Sequence, residues 1–336
     1  MISRPVATAP RALLLAIGPL GERAGPWHIS NKLIERGYAV THRHVLAGSS
    51  PVQALRAFRA CHDIAQYELT AASDYSIGFA MAFAAIVRRA RGRLAIAGMN
   101  LSRRPFRSGV APLDHVINRI FGRVDLFIVH STPEVSQFLH LHRLDAGRFT
   151  VVPWGFDLPD VADPECALPN RPYVAVVGRN NRDFATVARA LDGTGIAGVF
   201  VGCTQPLPSV DAEIIAYESL PFDQCLGIIR GSLANVIPLN DSSRGAGHIT
   251  AVAGMALGRP HIFSDADVIT DYLTDGVEGI AVPLGDATAM RAAIRRLTDQ
   301  PELANQMGEA GRRTATTRLT NSGFADRTAA VLLPVA

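Results

Sequence analysis

Short apolar runs bounded by turn-forming residues alternate along this chain with longer stretches in which apolar positions recur every three or four residues. That alternation is the pattern of successive β–α units around a parallel sheet. In the first half, 13–17, 39–45, 63–67, 94–97, 126–129 and 150–152 predict strands, and 29–36, 77–89, 113–121 and 133–142 have helical length and spacing. Six strands with intervening helices predict one doubly wound α/β domain over residues 1–152. Pro153, Pro159, Pro164, Pro169 and Pro172 then interrupt both kinds of element, so 153–172 reads as a linker. The alternation restarts with strands at 173–177, 198–201, 213–217, 234–238, 261–263 and 279–282, and helices at 184–191, 222–230, 249–257, 287–297 and 301–318. A second doubly wound domain is expected over 173–320. The last helix, 324–333 within the segment 321–336, is expected to cross back to the first domain. No repeat of solenoid period and no low-complexity tract appears.

Length and composition agree with this division. A chain of 336 residues accommodates two cores at roughly 150 residues per domain, and 48% hydrophobic against 19% charged residues excludes a disordered or solvating chain. The formal charge of +3 argues against a dedicated nucleic-acid surface, so no nucleic-acid partner is expected. Lys32 is the only lysine among 33 basic residues. Codon bias in a GC-rich genome explains that better than selection for bidentate anion grip, and each arginine is therefore judged by its own position. Cys61, Cys166, Cys203 and Cys225 have no paired spacing, which predicts neither a zinc knuckle nor a disulfide framework and fits a reduced, cytoplasmic setting. The apolar run 12–17 ends at Gly18-Pro19 and is too short to span a bilayer, so no transmembrane segment is expected, and peripheral association with a membrane is left open.

Two such domains joined by a hinge form a cleft between their strand ends, where doubly wound sheets bind ligands. Three loops could bring chemistry there. Asp241-Ser242-Ser243-Arg244-Gly245-Ala246-Gly247-His248-Ile249-Thr250 follows a strand and opens a helix. Its small residues let the backbone approach a ligand, its hydroxyls and amides donate hydrogen bonds, and the helix start favours an anion such as a diphosphate. An ordinary capped glycine loop is the plainer reading of that segment taken alone. Gly178-Arg179-Asn180-Asn181-Arg182-Asp183 places two arginines at a strand end, where they could neutralise a nucleotide diphosphate as it leaves; Asp183 could simply cap the next helix. Gly18, Gly21 and Gly25 close the first strand, but their spacing does not match the dinucleotide fingerprint, so nicotinamide binding is not supported. That loop could instead meet a phosphate or an acceptor.

Other polar residues are weaker candidates. Glu68, read at the end of the third strand, could orient an acceptor or act as a base, although a solvated carboxylate is the plainer reading. His130 follows the fifth strand beside Ser131. His140 and His142, two apart, fall on different helix faces and make no metal site. No Asp-x-Asp element suggests a divalent metal. Arg103, Arg104 and Arg107 form a basic patch within reach of an anionic acceptor or a lipid surface, or an ordinary solvated loop.

Taken together these pieces resemble a glycosyltransferase of the GT-B fold, most closely the retaining glycosyltransferase family 4. The resemblance rests on the hinge Pro153-Trp154-Gly155-Phe156-Asp157, on Gly178-Arg179, on Gly254-Met255-Ala256-Leu257-Gly258-Arg259-Pro260-His261-Ile262, and on Asp275-Gly276-Val277-Glu278-Gly279 with Pro283 and Asp286. It covers roughly residues 124–332. It implies two Rossmann-like domains facing across a cleft, the first holding the acceptor and the second a nucleoside-diphosphate-sugar donor, with no further cofactor and no metal. In that family a lysine grips the diphosphate; Arg182 takes its place here. Arg179, Arg182 and Asn100 are then expected to be catalytic, and Gly18, Gly21, Gly178, Ser242, Ser243, Gly245, Gly247, His248, Ile249 and Thr250 to bind the donor. Asn100 stands where the family often has a histidine and can bond a sugar hydroxyl, not act as a base. Retaining transfer tolerates that if the leaving phosphate takes the acceptor proton. The family's two glutamates, eight residues apart, correspond to Gly245 and Ala253. Loss of a carboxylate that accepts both ribose hydroxyls removes about 1–3 kcal/mol of hydrogen bonding. The resemblance therefore implies a hexosyltransferase-like enzyme (EC 2.4) with an acceptor left open between small molecule, glycan and lipid-linked glycan. The alternative is a weakened relative that binds a nucleotide sugar or a partner without turnover.

Overall fold

A strand covered on both faces has no polar side to present, which is why the runs of Ala, Val, Ile and Leu enter parallel sheets. In a computed structural model, which describes residues 9–17, 27–46, 50–98, 111–242 and 245–333, the chain divides into two compact units, Met1–Val152 with Phe324–Ala336, and Pro153–Gly323.

The first unit contains β1 (Arg11–Ile17), α1 (Trp27–Glu35), β2 (Ala39–Val45), α2 (Ser50–Ala60), β3 (Leu69–Ala72), α3 (Tyr75–Val87), β4 (Arg93–Ala97), α4 (Ala111–Phe121), β5 (Leu126–Val129), α5 (Thr132–His142) and β6 (Phe149–Val151). Its strands are parallel in the order β2-β1-β3-β4-β5-β6. Leu13, Leu15, Ile77, Met81, Phe121 and Phe127 belong to its core. Two helix starts are tied locally. The Asp74 carboxylate accepts from the Ser76 amide at 2.7 Å to cap α3, and Ser131 with Glu134 forms a capping box on α5.

The second unit contains β7 (Tyr173–Val177), α6 (Phe184–Leu191), β8 (Ala197–Val201), β9 (Ile214–Tyr217), α7 (Phe222–Gly231), β10 (Ala234–Ile237), α8 (His248–Ala256), β11 (His261–Ser264), β12 (Gly279–Val282), α9 (Ala287–Asp299) and α10 (Pro301–Arg318). This sheet is also parallel, in the order β12-β11-β10-β7-β8-β9. The last helix, α11 (Asn321–Leu332), belongs to the first unit from Phe324 onward. There Asp326 pairs with Lys32 at 3.2 Å, and the Val331 carbonyl accepts from Arg93 Nη2 at 3.2 Å.

Two elements differ from the expectation. Residues 63–67 form a 3-10 turn at Ile64–Gln66, and the third strand is Leu69–Ala72. Asp63 is held by the Arg43 guanidinium at 2.5 and 2.7 Å and the chain bends there, whereas Leu-Thr-Ala-Ala carries little β-propensity of its own. Helix α2 was not anticipated, because Ser50-Pro51 reads as a turn; proline is tolerated in the first turn of a helix, where its missing N–H has no partner to lose.

Candidate functional site

In the second sheet β7 leads outward through β8 and β9, and β10 leads the other way through β11 and β12. The chain order reverses between these neighbours, so the crevice outside the carboxyl ends of β7 and β10 is where such a sheet binds a ligand. Two loops flank it, 178–183 after β7 and 238–247 after β10.

The loops are laced together. Asn181, buried and left-handed at φ 54°, donates from Nδ2 to the Asp241 carbonyl at 2.8 Å. The Asp183 amide donates to the Pro238 carbonyl at 3.0 Å, while its carboxylate caps α6 through the Thr186 amide at 3.0 Å. Arg182 folds back across the gap: Nη1 donates to the Asn180 carbonyl at 2.8 Å, Nε approaches the Val177 carbonyl at 3.4 Å, and Nη2 approaches Thr250 Oγ1 at 3.4 Å. Gly178 makes that path possible. A Cβ there would lie 2.7–2.9 Å from the guanidinium, and its φ of 138° suits glycine alone.

Helix α8 starts from Gly247, left-handed at φ 91°, which has no side chain with which to cap. A Cβ on Gly247 would stand 2.7 Å from Ile237 Cγ2 and 3.6 Å from Arg182 Nη2. Among the described residues no side chain caps the helix start, and the guanidinium sits on that side. First-turn N–H groups, the positive end of the helix and a fixed cation meet at one point, an arrangement suited to an anion.

The structure brings Gly178, Arg182, Gly247 and Thr250 together and sends Arg179 elsewhere. Arg179 is exposed, with its stem across Gly202 at the end of β8, where a Cβ would be 2.8 Å from Arg179 Cγ. Ser242 is exposed, Gly245 half-buried, and Ile249 exposed on the first turn of α8. His248 donates from Nε2 to the Val268 carbonyl at 2.8 Å and stacks on Tyr272, with centroids 4.5 Å apart. Gly18, Gly21, Asn100 and Ser243 lie outside the described residues, as do Arg103, Arg104 and Arg107.

A second layer beneath α8 escaped the sequence reading. Asn235, fully buried in β10, donates from Nδ2 to the Thr250 carbonyl at 2.8 Å and so fixes the residue that Arg182 approaches. His261 in β11 is fully buried beside it; among the described residues neither ring nitrogen has a partner at full hydrogen-bond geometry, and the nearby Glu278 and Ala251 backbones offset only part of the cost of charging it. Burial pulls its pKa down to about 4. The readable signal was a lone polar residue within an apolar strand run, at Asn235 and again at His261. Asn181 had no such signal, since its role depends on a loop distant in sequence.

Other candidates resolve differently. Glu68 precedes β3 rather than ending it, and its carboxylate accepts from the Arg11 amide at 2.5 Å at the amino-terminal edge of the sheet, opposite the ligand-binding edge. That position does not suit an acceptor base. His130 Nδ1 bonds the Val152 carbonyl at 2.9 Å, and burial holds the ring below the ordinary histidine range. His142 is buried between Tyr75 and Asn118. Among the described residues no group of three His, Cys, Asp or Glu side chains is placed to hold a metal ion.

Known proteins resemble this chain in overall fold and in the sequence of one segment. Residues 234–314, spanning β10 through most of α10, match the family model described as Glycosyl transferases group 1. Over 83 residues the chain is 32% identical to a Bacillus subtilis (strain 168) protein described as "Putative glycosyltransferase EpsD", a match that spans 25% of this chain and 22% of that protein. Among solved structures, Anabaena HepE in complex with UDP superposes with a TM-score of 0.68 at 13% identity, covering 96% of this chain and 99% of its own. Sucrose-phosphate synthase from Thermosynechococcus elongatus superposes at 0.67 and 18% identity, covering 96% and 98%. The chain therefore has the two-sheet α/β fold of the GT-B glycosyltransferases, and its segment 234–314 carries the pattern of Glycosyl transferases group 1.

Proposed function

We propose that this protein transfers a sugar from a nucleoside-diphosphate donor, with the diphosphate held where the loops after β7 and β10 meet. The observation that carries this reading is the Arg182 guanidinium drawn to the first turn of α8 beside Gly247 and Thr250. As the bond between sugar and phosphate breaks, negative charge grows on the departing diphosphate. A fixed guanidinium and aligned amides offset that charge without having to reorganise. Arg182 is the chief stabiliser, and Arg179 supports the nucleotide from the β8 side. Ser242, Ser243, Gly245, His248 and Ile249 supply further contacts, largely through their backbone. The second unit is the donor domain and the first the acceptor domain, to which Gly18, Gly21 and Asn100 belong. Transfer of a hexose with retention fits this set of residues, since the leaving phosphate can itself take the acceptor proton. HepE was solved with UDP, so UDP-sugars are the first donors to try.

Thermal shift against UDP-, GDP-, ADP- and dTDP-sugars tests the assignment, because a ligand that binds only the folded form raises Tm. One donor class should raise Tm and release nucleoside diphosphate on turnover. Arg182→Ala should lose the shift and Arg182→Lys should retain part of it. Absence of any shift, or an undiminished one in Arg182→Ala, overturns the proposal. A weakened relative is favoured by Gly245 and by Ala253, which is fully buried. Donor binding without nucleotide release would select that second reading.

A further inference from the structure

Helix α3 contains no charged residue and is apolar on every side, the composition of a helix enclosed all round. Only one side is enclosed. Ile77, Ala80, Met81 and Ala84 are buried, but Phe83, Ile86 and Val87 form an outward stripe at 43%, 44% and 55% exposure. Helix α2 extends it with Leu55 at 51%, and the rings of Phe58 and Phe83, 5.5 Å apart, join the two helices. Single exposed apolar side chains are ordinary, whereas a continuous stripe across two helices marks a surface that meets something apolar.

Charge selects the partner. Residues 50–60 and 75–93 include no Asp or Glu, while Arg56, Arg59, Arg89 and Arg91 are exposed around the stripe. The Arg88 guanidinium lies over the Phe58 ring at 4.2 Å. The acids nearest in sequence are engaged, Asp63 with Arg43 and Asp74 at the start of α3. We infer that the outer face of α2 and α3 docks on a bilayer surface bearing anionic lipid. Phe83, Ile86 and Leu55 enter the boundary between headgroups and acyl chains, and the arginines reach lipid phosphates with their stems along the apolar zone. A second copy packed two-fold on this face would set arginines against arginines. At 13 residues α3 is too short to span a bilayer, and no described helix is long and apolar enough to cross one. The contact therefore lies along the interface.

Flotation of the full chain with vesicles tests this without reference to sugar transfer. The wild type should float with equal parts phosphatidylcholine and phosphatidylglycerol and not with phosphatidylcholine alone. The double variants Phe83→Ser/Ile86→Ser and Arg59→Glu/Arg89→Glu should each lose about tenfold or more in partition. Both alter exposed positions, so their melting temperatures and nucleotide-sugar response should match the wild type; if one fails to fold, the other decides. Failure of the wild type to bind mixed vesicles, or unchanged partition in a folded variant, overturns the inference. A concentration-dependent dimer abolished by Phe83→Ser/Ile86→Ser would overturn it in favour of a second copy.

Discussion

At Gly254 helix α8 passes so close to two buried polar side chains that a Cβ would stand 2.6 Å from both Asn235 Nδ2 and His261 Nε2. The imidazole beneath has traded water for apolar surroundings, and its pKa falls from 6.5 to about 4. In the unfolded chain His261 takes a proton near its ordinary value, while the native ring refuses one until about pH 4. Over that window the unfolded state binds more protons, so stability is complete above it and lost as the pH falls. The full span corresponds to about 3 kcal/mol as an upper bound. Urea unfolding between neutral pH and about pH 4 should show this loss in the wild type and a flatter profile in His261→Gln. A stability difference that does not depend on pH would contradict the assignment. Asn235 and His261 are legible in the sequence as polar interruptions of apolar strands. What they bond to is not, because Thr250 and Gly254 come from another element.

Among the elements, the amino-terminal turn of α8 depends on conformations that only glycine adopts easily. Gly247 combines a φ of 91° with a crowded Cβ direction, whereas Gly193, at φ 70°, faces open space. Gly193→Ala should cost about 1–2 kcal/mol for the left-handed backbone alone. Gly247→Ala should cost more, about 2–4 kcal/mol once displacement of Ile237 is added, and should also lessen the nucleotide-sugar thermal shift. Chemical denaturation of both variants beside that shift checks the order; equal costs would show that the crowding is relieved elsewhere. Most elements were readable from periodicity alone, since buried parallel strands and one-sided helices differ in both length and pattern. The exceptions are β3, whose small residues gain strand geometry from pairing with β1 and β4, and α2, whose Ser-Pro start imitates a turn.

For the whole molecule, the chain order conceals one dependence, since α11 closes the sequence yet belongs with its beginning. Phe324, Ala325, Ala329 and Leu332 are buried there. Full burial of Phe324 and Leu332 is worth about 2 kcal/mol each. Truncation after Gly323 should therefore destabilise the first unit by several kcal/mol and leave the nucleotide-sugar response of the second largely intact. Calorimetry with and without the donor would reveal a lowered transition that the ligand does not shift; two unaltered transitions would refute the dependence. The amino-acid order by itself determined two doubly wound units and glycine-rich loops after strands, because hydrophobic period and turn chemistry are local properties. Residues 153–172, which read as a linker, fall within the second unit, where Leu158, Val161 and Leu168 pack on its core. Only tertiary structure decided that Arg182 turns to α8 while Arg179 turns to β8, that Asn235 holds Thr250 from below, and that Glu68 sits at the wrong edge. Each of these depends on which strands become neighbours, and that neighbourhood is set by the burial of whole faces rather than by any one segment.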